Sequence, residues 1–158
     1  MKIIRVVATV LVIVLLIFVH AISMTLIKNE DFIGTYYSVN IKPDVIMETC
    51  GTCTRIIDQK ENETIISDID SMTVVDDAIY GICKNRYYLL NLLSREIVYS
   101  STPMLQYSTC NLLSPWEYYQ KKTMYIDIIG YIVLLCCIIV TIKIGFFHGS
   151  RGRSRGRF

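Results

Sequence analysis

Hydrophobic positions fall into two long runs in this chain, with a short-period, alternating stretch between them. The first run, Val6 to Ile27, is 22 residues without Lys, Arg, Asp or Glu, and Lys2 and Arg5 precede it. The second centres on Ile128 to Ile142, 15 uncharged residues. As helix these make about 22 Å, against roughly 30 Å of bilayer hydrocarbon. Extended to Met124 and Phe147 the run is 24 residues, about 36 Å of helix, which spans. The extension admits Asp127 and Lys143 near opposite ends, where side chains reach the headgroups. Two membrane-length helices are therefore predicted.

Two readings compete for the first run. As a signal-anchor it spans the membrane and stays, with His20 near the outer interface. As a secretory signal peptide it has a basic start, an apolar core from Val6 to Val19 and a cleavage site after Ala21. The apolar run continues through Ile22 and Met24 to Ile27, which favours the anchor. Either way the segment behind it is exported, and the tail behind the second helix stays inside.

Between the runs the texture is that of strands. Gly34 to Ile41 alternates and is rich in Tyr, Val and Thr, and Pro43 stops it. Thr54 to Ile57 and Thr64 to Ile69 are short candidates. Met72 to Val75 and Ala78 to Cys83 flank the turn-like Asp76-Asp77, and Arg86 to Leu92 and Glu96 to Ser100 bracket Leu93-Ser94-Arg95. Lys84-Asn85 reads as the turn of a hairpin, with Tyr80, Tyr87, Tyr88 and Tyr99 supplying cross-strand aromatic contacts. From Ser114 the pattern changes. A capping Ser, then Pro115 and Glu117, start a helix that meets no breaker before Gly130 and so runs into the second apolar segment. On it Trp116, Tyr118, Tyr119 and Tyr125 are expected at the outer membrane interface, and Lys143 at the other end.

The predicted architecture is an α+β membrane protein: an N-terminal hydrophobic helix, a small antiparallel β-rich extracytoplasmic domain and a C-terminal transmembrane helix. The segments are 1–27 (signal-anchor or signal peptide), 28–113 (β-rich domain), 114–123 (juxtamembrane helix), 124–147 (transmembrane helix) and 148–158 (basic cytoplasmic tail). The plasma or inner membrane is the expected location, with two passes, or a single type I pass if the first segment is cleaved.

Charge sharpens this picture. Lys28 to Lys122 holds nine basic and thirteen acidic residues, net −4, whereas the two ends hold seven basic residues against Asp127, net +6. Acidic middle and basic ends suit opposite sides of a membrane. The acidic middle argues against nucleic acid as a partner. The arginine–glycine tail Arg151 to Phe158 is read as a topology signal that attracts anionic lipid.

Six cysteines form two sets. Cys136 and Cys137 lie deep in the second apolar run as apolar residues. Cys50, Cys53, Cys83 and Cys110 lie in the exported part, where oxidation is permitted, and structural disulfides among them are expected without a derivable pairing. Cys50-Gly51-Thr52-Cys53 also admits a redox dithiol or half a zinc site, but no helix start or second close ligand pair supports either. Asn62-Glu63-Thr64 fits the N-glycosylation acceptor pattern, which counts in a host that glycosylates. Asp68-Ile69-Asp70 opens like a calcium loop, yet Met72 stands where a ligand is needed and the acidic run reads as a solvated edge.

Histidines occur only at 20 and 148, and no glycine-rich phosphate loop or G-x-S-x-G elbow is present. No catalytic residue, cofactor or metal site is expected. The reading is a membrane-anchored, non-enzymatic protein whose exported domain binds a partner protein or ligand in an accessory, immunity or assembly role, with membrane lipids as its other partner. Alternatives are a membrane-tethered thiol–disulfide protein using Cys50 and Cys53, and a type I surface glycoprotein with a cleaved leader.

Overall fold

The computed structural model describes residues 2–31, 34–105 and 109–147. The chain forms two compact units, Met1–Leu26 with Tyr125–Phe158, and Ile27–Met124. The tail 148–158, His148 included, lies outside the described residues.

The first unit is helical. Val6 to Ile27 contains no Pro or Gly, and it forms α1 (Lys2–Ile27). Hydroxyls within α1 are satisfied by its own carbonyls: Thr9 donates to Arg5 O (2.9 Å), Ser23 to Val19 O (2.8 Å) and Thr25 to Ile22 O (2.8 Å). The second helix, α2 (Pro115–Phe147), contributes its Tyr125–Phe147 portion to this unit. Both helices are long and apolar enough to cross a membrane, and none of the most apolar stretch of either is buried. Contacts at two glycines seat α1 against α2. A Cβ on Gly130 would lie 2.6 Å from Met24 Sδ and 3.2 Å from His20 Cε1. One on Gly145 would lie 2.5 Å from Thr9 Oγ1. Thr9 and Met24 are as far apart in sequence as Gly130 and Gly145, so the helices run antiparallel in matched register. The His20 and Tyr131 rings meet at 6.2 Å.

Eight strands build the second unit: β1 (Tyr36–Lys42), β2 (Val45–Cys50), β3 (Cys53–Asp58), β4 (Glu63–Ser67), β5 (Ile69–Val75), β6 (Ala78–Cys83), β7 (Arg86–Asn91) and β8 (Ile97–Ser100). They form two antiparallel meanders, β1-β2-β3-β4 and β5-β6-β7-β8. Asp68 alone, at φ 58°, separates β4 from β5. The Lys84-Asn85 hairpin is present, with φ of 49° and 61°, as a type I′ turn requires at both central residues. β2 is the strand that sequence reasoning did not anticipate; its burial alternates strictly, with Val45, Met47 and Thr49 buried.

The meanders are copies at a spacing of 33 residues. Adding 33 to every boundary of β1, β2 and β3 gives those of β5, β6 and β7, and β4 and β8 end in the same relation. The turns repeat too. Gln59 N donates to Asp44 O (2.9 Å) as Leu92 N does to Asp77 O (2.8 Å). Asp58 Oδ1 accepts from Lys60 and Glu61 N (2.9 and 3.4 Å), as Asn91 Oδ1 accepts from Leu93 and Ser94 N (2.8 and 3.1 Å). Asn62 and Arg95 both have left-handed backbone, with φ of 54° and 61°.

Two irregularities are not copied: β3–β4 slips between Ile56 and Ile57 with no counterpart in β7–β8, and the slip in the first hairpin is moved. In β1–β2 the register slips beside the turn, between Asn40 and Lys42; in β5–β6 it slips at the far end, between Ile69 and Ser71. A one-residue slip turns a strand's side chains to the other face. The core therefore receives Met47, Thr49, Thr54 and Ile56 from the first sheet but Ile79, Cys83, Tyr88 and Leu90 from the second, which occupy the opposite parity of the repeat.

The start of α2 closes this core. Ser114 Oγ and N contact Glu117 Oε2 (2.9 and 2.8 Å) and Glu117 N donates back to Ser114 Oγ (3.3 Å), a complete capping box. The backbone N–H and hydroxyl of Ser114 hold the Glu117 carboxyl below its usual range. The expectation that Tyr118 and Tyr119 sit at the lipid interface is corrected: they are 6% and 0% exposed and belong to the domain core. Tyr37 draws in Tyr119, its ring lying 4.7 Å from Tyr119 and 5.2 Å from Trp116, while Tyr118 lies beside Ile41 and Leu113. The Tyr119 hydroxyl donates to Glu30 Oε2 (2.9 Å), which also pairs with Lys28 (3.3 Å). Trp116 and Tyr125 are exposed, as is Lys143.

Candidate functional site

Strand alternation assigns each exported cysteine its surroundings. Cys50 and Cys53 are directly paired across the β2–β3 turn, whose Gly51 has φ 63°, and both lie on the outer face with Glu48 and Arg55. Opposed residues of an antiparallel pair point to one face, so the two thiols lie side by side. Cys50 is exposed and Cys53 half-buried, with its Sγ donating to Asp68 Oδ1 at 3.5 Å. The other Asp68 oxygen accepts from Lys84 Nζ (2.7 Å) and Ser67 Oγ (3.1 Å). Lys84 first, then Ser67 and Cys53, hold the Asp68 carboxyl below its ordinary range.

Cys83 occupies the position equivalent to Cys50 but, through the slipped register, faces the core. Burial pushes its thiol up. It borders an open cleft of about 330 Å³ with Thr64, Ser67, Lys84, Arg86 and Tyr99, where the Arg86 guanidinium lies 5.9 Å over the Tyr99 ring. Cys110 is half-buried in the segment before α2, and Cys136 and Cys137 are exposed on α2. No disulfide joins the described residues, and each cysteine is a free thiol. The expected bridges are not formed; the parity of the strands turns Cys83 inward, away from Cys50 and Cys53, which face outward together. Nor do three or more His, Cys, Asp or Glu among the described residues gather to hold a metal ion.

A second cleft, about 530 Å³, is lined by Ile41, Lys42, Thr73, Asp76, Leu113, Tyr118, Lys121 and Lys122. Lys42 is committed to Asp77 (3.0 Å). Lys121 and Lys122 have no carboxylate partner among the described residues; Lys122 Nζ lies 5.7 Å from the centre of the Tyr118 ring. The Tyr118 hydroxyl is buried without a hydrogen-bond partner, and burial pushes its pKa up to about 12. Sequence reasoning missed this cleft. Its signal was the adjacent pair Lys121-Lys122, placed within an otherwise acidic segment.

Asn62 is exposed in the β3–β4 turn, and Thr64 behind it is also exposed. The turn is tied to the second sheet by Arg95 Nε, which donates to Asp58 Oδ2 at 2.8 Å. Burial raises the Asp58 carboxyl, but the Lys60 and Glu61 N–H groups and Arg95 outweigh it, and the net shift is downward.

Comparison of the chain with family models, with curated proteins and with solved structures gives no match.

Proposed function

We propose that the chain is a membrane-anchored, non-enzymatic binding protein whose β domain is displayed outside the cytoplasm and recognises an acidic segment of a partner protein. The observation that carries this is the lysine-lined cleft. In a segment of net −4, a concave site where three lysines face one carboxylate, and where Lys121 and Lys122 pair with no carboxylate among the described residues, is suited to a carboxylate-bearing surface. Its lysines stand on α2 directly before the apolar stretch that starts at Met124, so a partner engaged there is held close to the bilayer.

Retention of α1 is supported by its fit to α2. Cleavage after Ala21 would remove Thr9 and His20 and leave the notch at Gly145 unfilled. Both helices then remain as a two-pass anchor in contact with membrane lipid.

Amine-reactive crosslinking in native membranes, followed by mass spectrometry, tests the reading. The expected result is crosslinks from Lys121 and Lys122 to one recurrent protein, and a co-purification yield of that protein at least five-fold lower after the paired substitution Lys121→Glu and Lys122→Glu. Yields that charge reversal leaves unchanged would overturn the cleft as the site. Labelling of Cys50 by a membrane-impermeant maleimide in intact cells, after treatment with a membrane-impermeant reductant, tests display, and labelling only after permeabilisation would reject it.

A further inference from the structure

We infer that Cys50 and Cys53 form a reversible dithiol–disulfide couple that exchanges with disulfide-bearing partners, whereas Cys83 stays a thiol. The geometry is that of a pair built to close. Directly opposed residues of an antiparallel ladder have Cα atoms about 4.5 or 5.5 Å apart, and a disulfide accepts 4.4–6.8 Å. Cys50 and Cys53 occupy such a pair and share a face. Cys83, one repeat further on, faces inward, and its strand partner at the corresponding place is Arg86, which carries no sulfur.

The two thiols are unequal, and this sets the order of events. Cys50 is exposed and is the sulfur a disulfide donor reaches first. Its thiolate attacks one donor sulfur, the donor's S–S bond breaks, and one donor thiolate leaves with the proton that Cys50 gave up. A mixed disulfide on Cys50 results. The Cys53 thiol, held by Asp68 Oδ1 at 3.5 Å, then loses its proton and attacks Cys50 Sγ, expelling the second donor thiolate. Two protein thiols are oxidised and one donor disulfide is reduced to two thiols. The ring closed spans four residues, so the bond does little to restrain the unfolded chain. Its consequence is local: Asp68 loses the S–H donor and keeps Lys84 and Ser67.

The inference rests on the reading of an exported domain for its cellular setting, but not for its geometry. Purified full-length protein in detergent is equilibrated with reduced and oxidised glutathione, quenched with acid, alkylated, digested and mapped by mass. The expected product links Cys50 to Cys53 with the loss of two hydrogens, and Cys83 is alkylated only after unfolding. With Cys53→Ser, Cys50 should accumulate as its glutathione mixed disulfide, at least ten-fold more than Cys53 does in Cys50→Ser. Links from Cys50 or Cys53 to Cys83 or Cys110 would overturn the inference. So would both thiols staying reduced in buffers that oxidise a reference dithiol. A pair that closes in the purified protein but is fully reduced in acid-quenched membranes counts against export and leaves the pairing intact.

Discussion

The first sheet buries a polar pair where the second half-buries an apolar one on its other face. Thr49 and Thr54 face each other inside the domain and share a 2.9 Å hydrogen bond. Their counterparts 33 residues on, Ile82 and Tyr87, are paired on the outer side of β6 and β7. The next pair along is reversed in the same way. Glu48 and Arg55 meet outside at 2.6 Å, whereas Gly81 and Tyr88 meet inside, and Tyr88 is fully buried. The backbone plan is shared, but a bulge moved along one strand exchanges inside and outside. The pairing of β2 with β3 is thus repeated residue for residue by β6 with β7, while the side-chain chemistry is not.

Substitution at these paired positions tests the contrast. The largest effect is expected at Gly81, where a Cβ would fall 2.3 Å from Ser71 O and 2.8 Å from the Tyr88 ring. The first neighbour is backbone and cannot swing away. Gly81→Ala should cost about 3 kcal/mol in denaturant unfolding, whereas Glu48→Ala at the equivalent place should cost under ~1 kcal/mol. Equal losses would show that the two faces are not exchanged. Next in size is the threonine pair. Thr49→Val strands the buried Thr54 hydroxyl and should cost about 2 kcal/mol, and adding Thr54→Val should recover most of it. A double variant as unstable as the single would mean that the hydroxyls bond elsewhere.

The smallest effect concerns the turns. Asp58 and Asn91 cap their loops identically, but only Asp58 carries a charge and an inter-sheet arginine. The folded Asp58 carboxyl is shifted down, so its contribution is present above the unfolded carboxylate value and is lost as pH falls through the lower folded one. Urea midpoints of the wild type should therefore drop below about pH 4, and Asp58→Asn should flatten part of that drop. An unchanged acid profile in the variant would remove Asp58 from the account.

Much of the fold was legible from side-chain alternation and turn chemistry. The Lys84-Asn85 hairpin, the capped start of α2 and seven of the eight strands follow local rules that later packing does not override. β2 was not legible, because Val45 to Cys50 holds Glu48 and follows Pro43-Asp44, so its apolar run looked too short. Nor was the duplication. A shifted bulge gives equivalent positions opposite polarity, and comparison of residue types at a spacing of 33 finds Glu against Gly and Arg against Tyr. The placement of Tyr118 and Tyr119 failed for a different reason. Amphipathic rings just before a membrane span suit an interface and a core equally, and only the arrival of β1, with Tyr37 against Tyr119 and Ile41 beside Tyr118, decides between them. Of the candidate site, the Cys50–Cys53 motif was visible, but its cross-strand register was not.

The glycines of α2 constrain how α1 can vary. An α-helix turns about 100° for each residue added. One extra residue between Thr9 and Met24 would leave one of them seated and carry the other round to a different flank, away from its notch at Gly145 or Gly130. The pair behaves as a phase lock: exchanges among the intervening aliphatic side chains are neutral to it, while a change in their number is not. Insertions and deletions in this stretch of α1 should thus be far more damaging than its monotonous composition suggests.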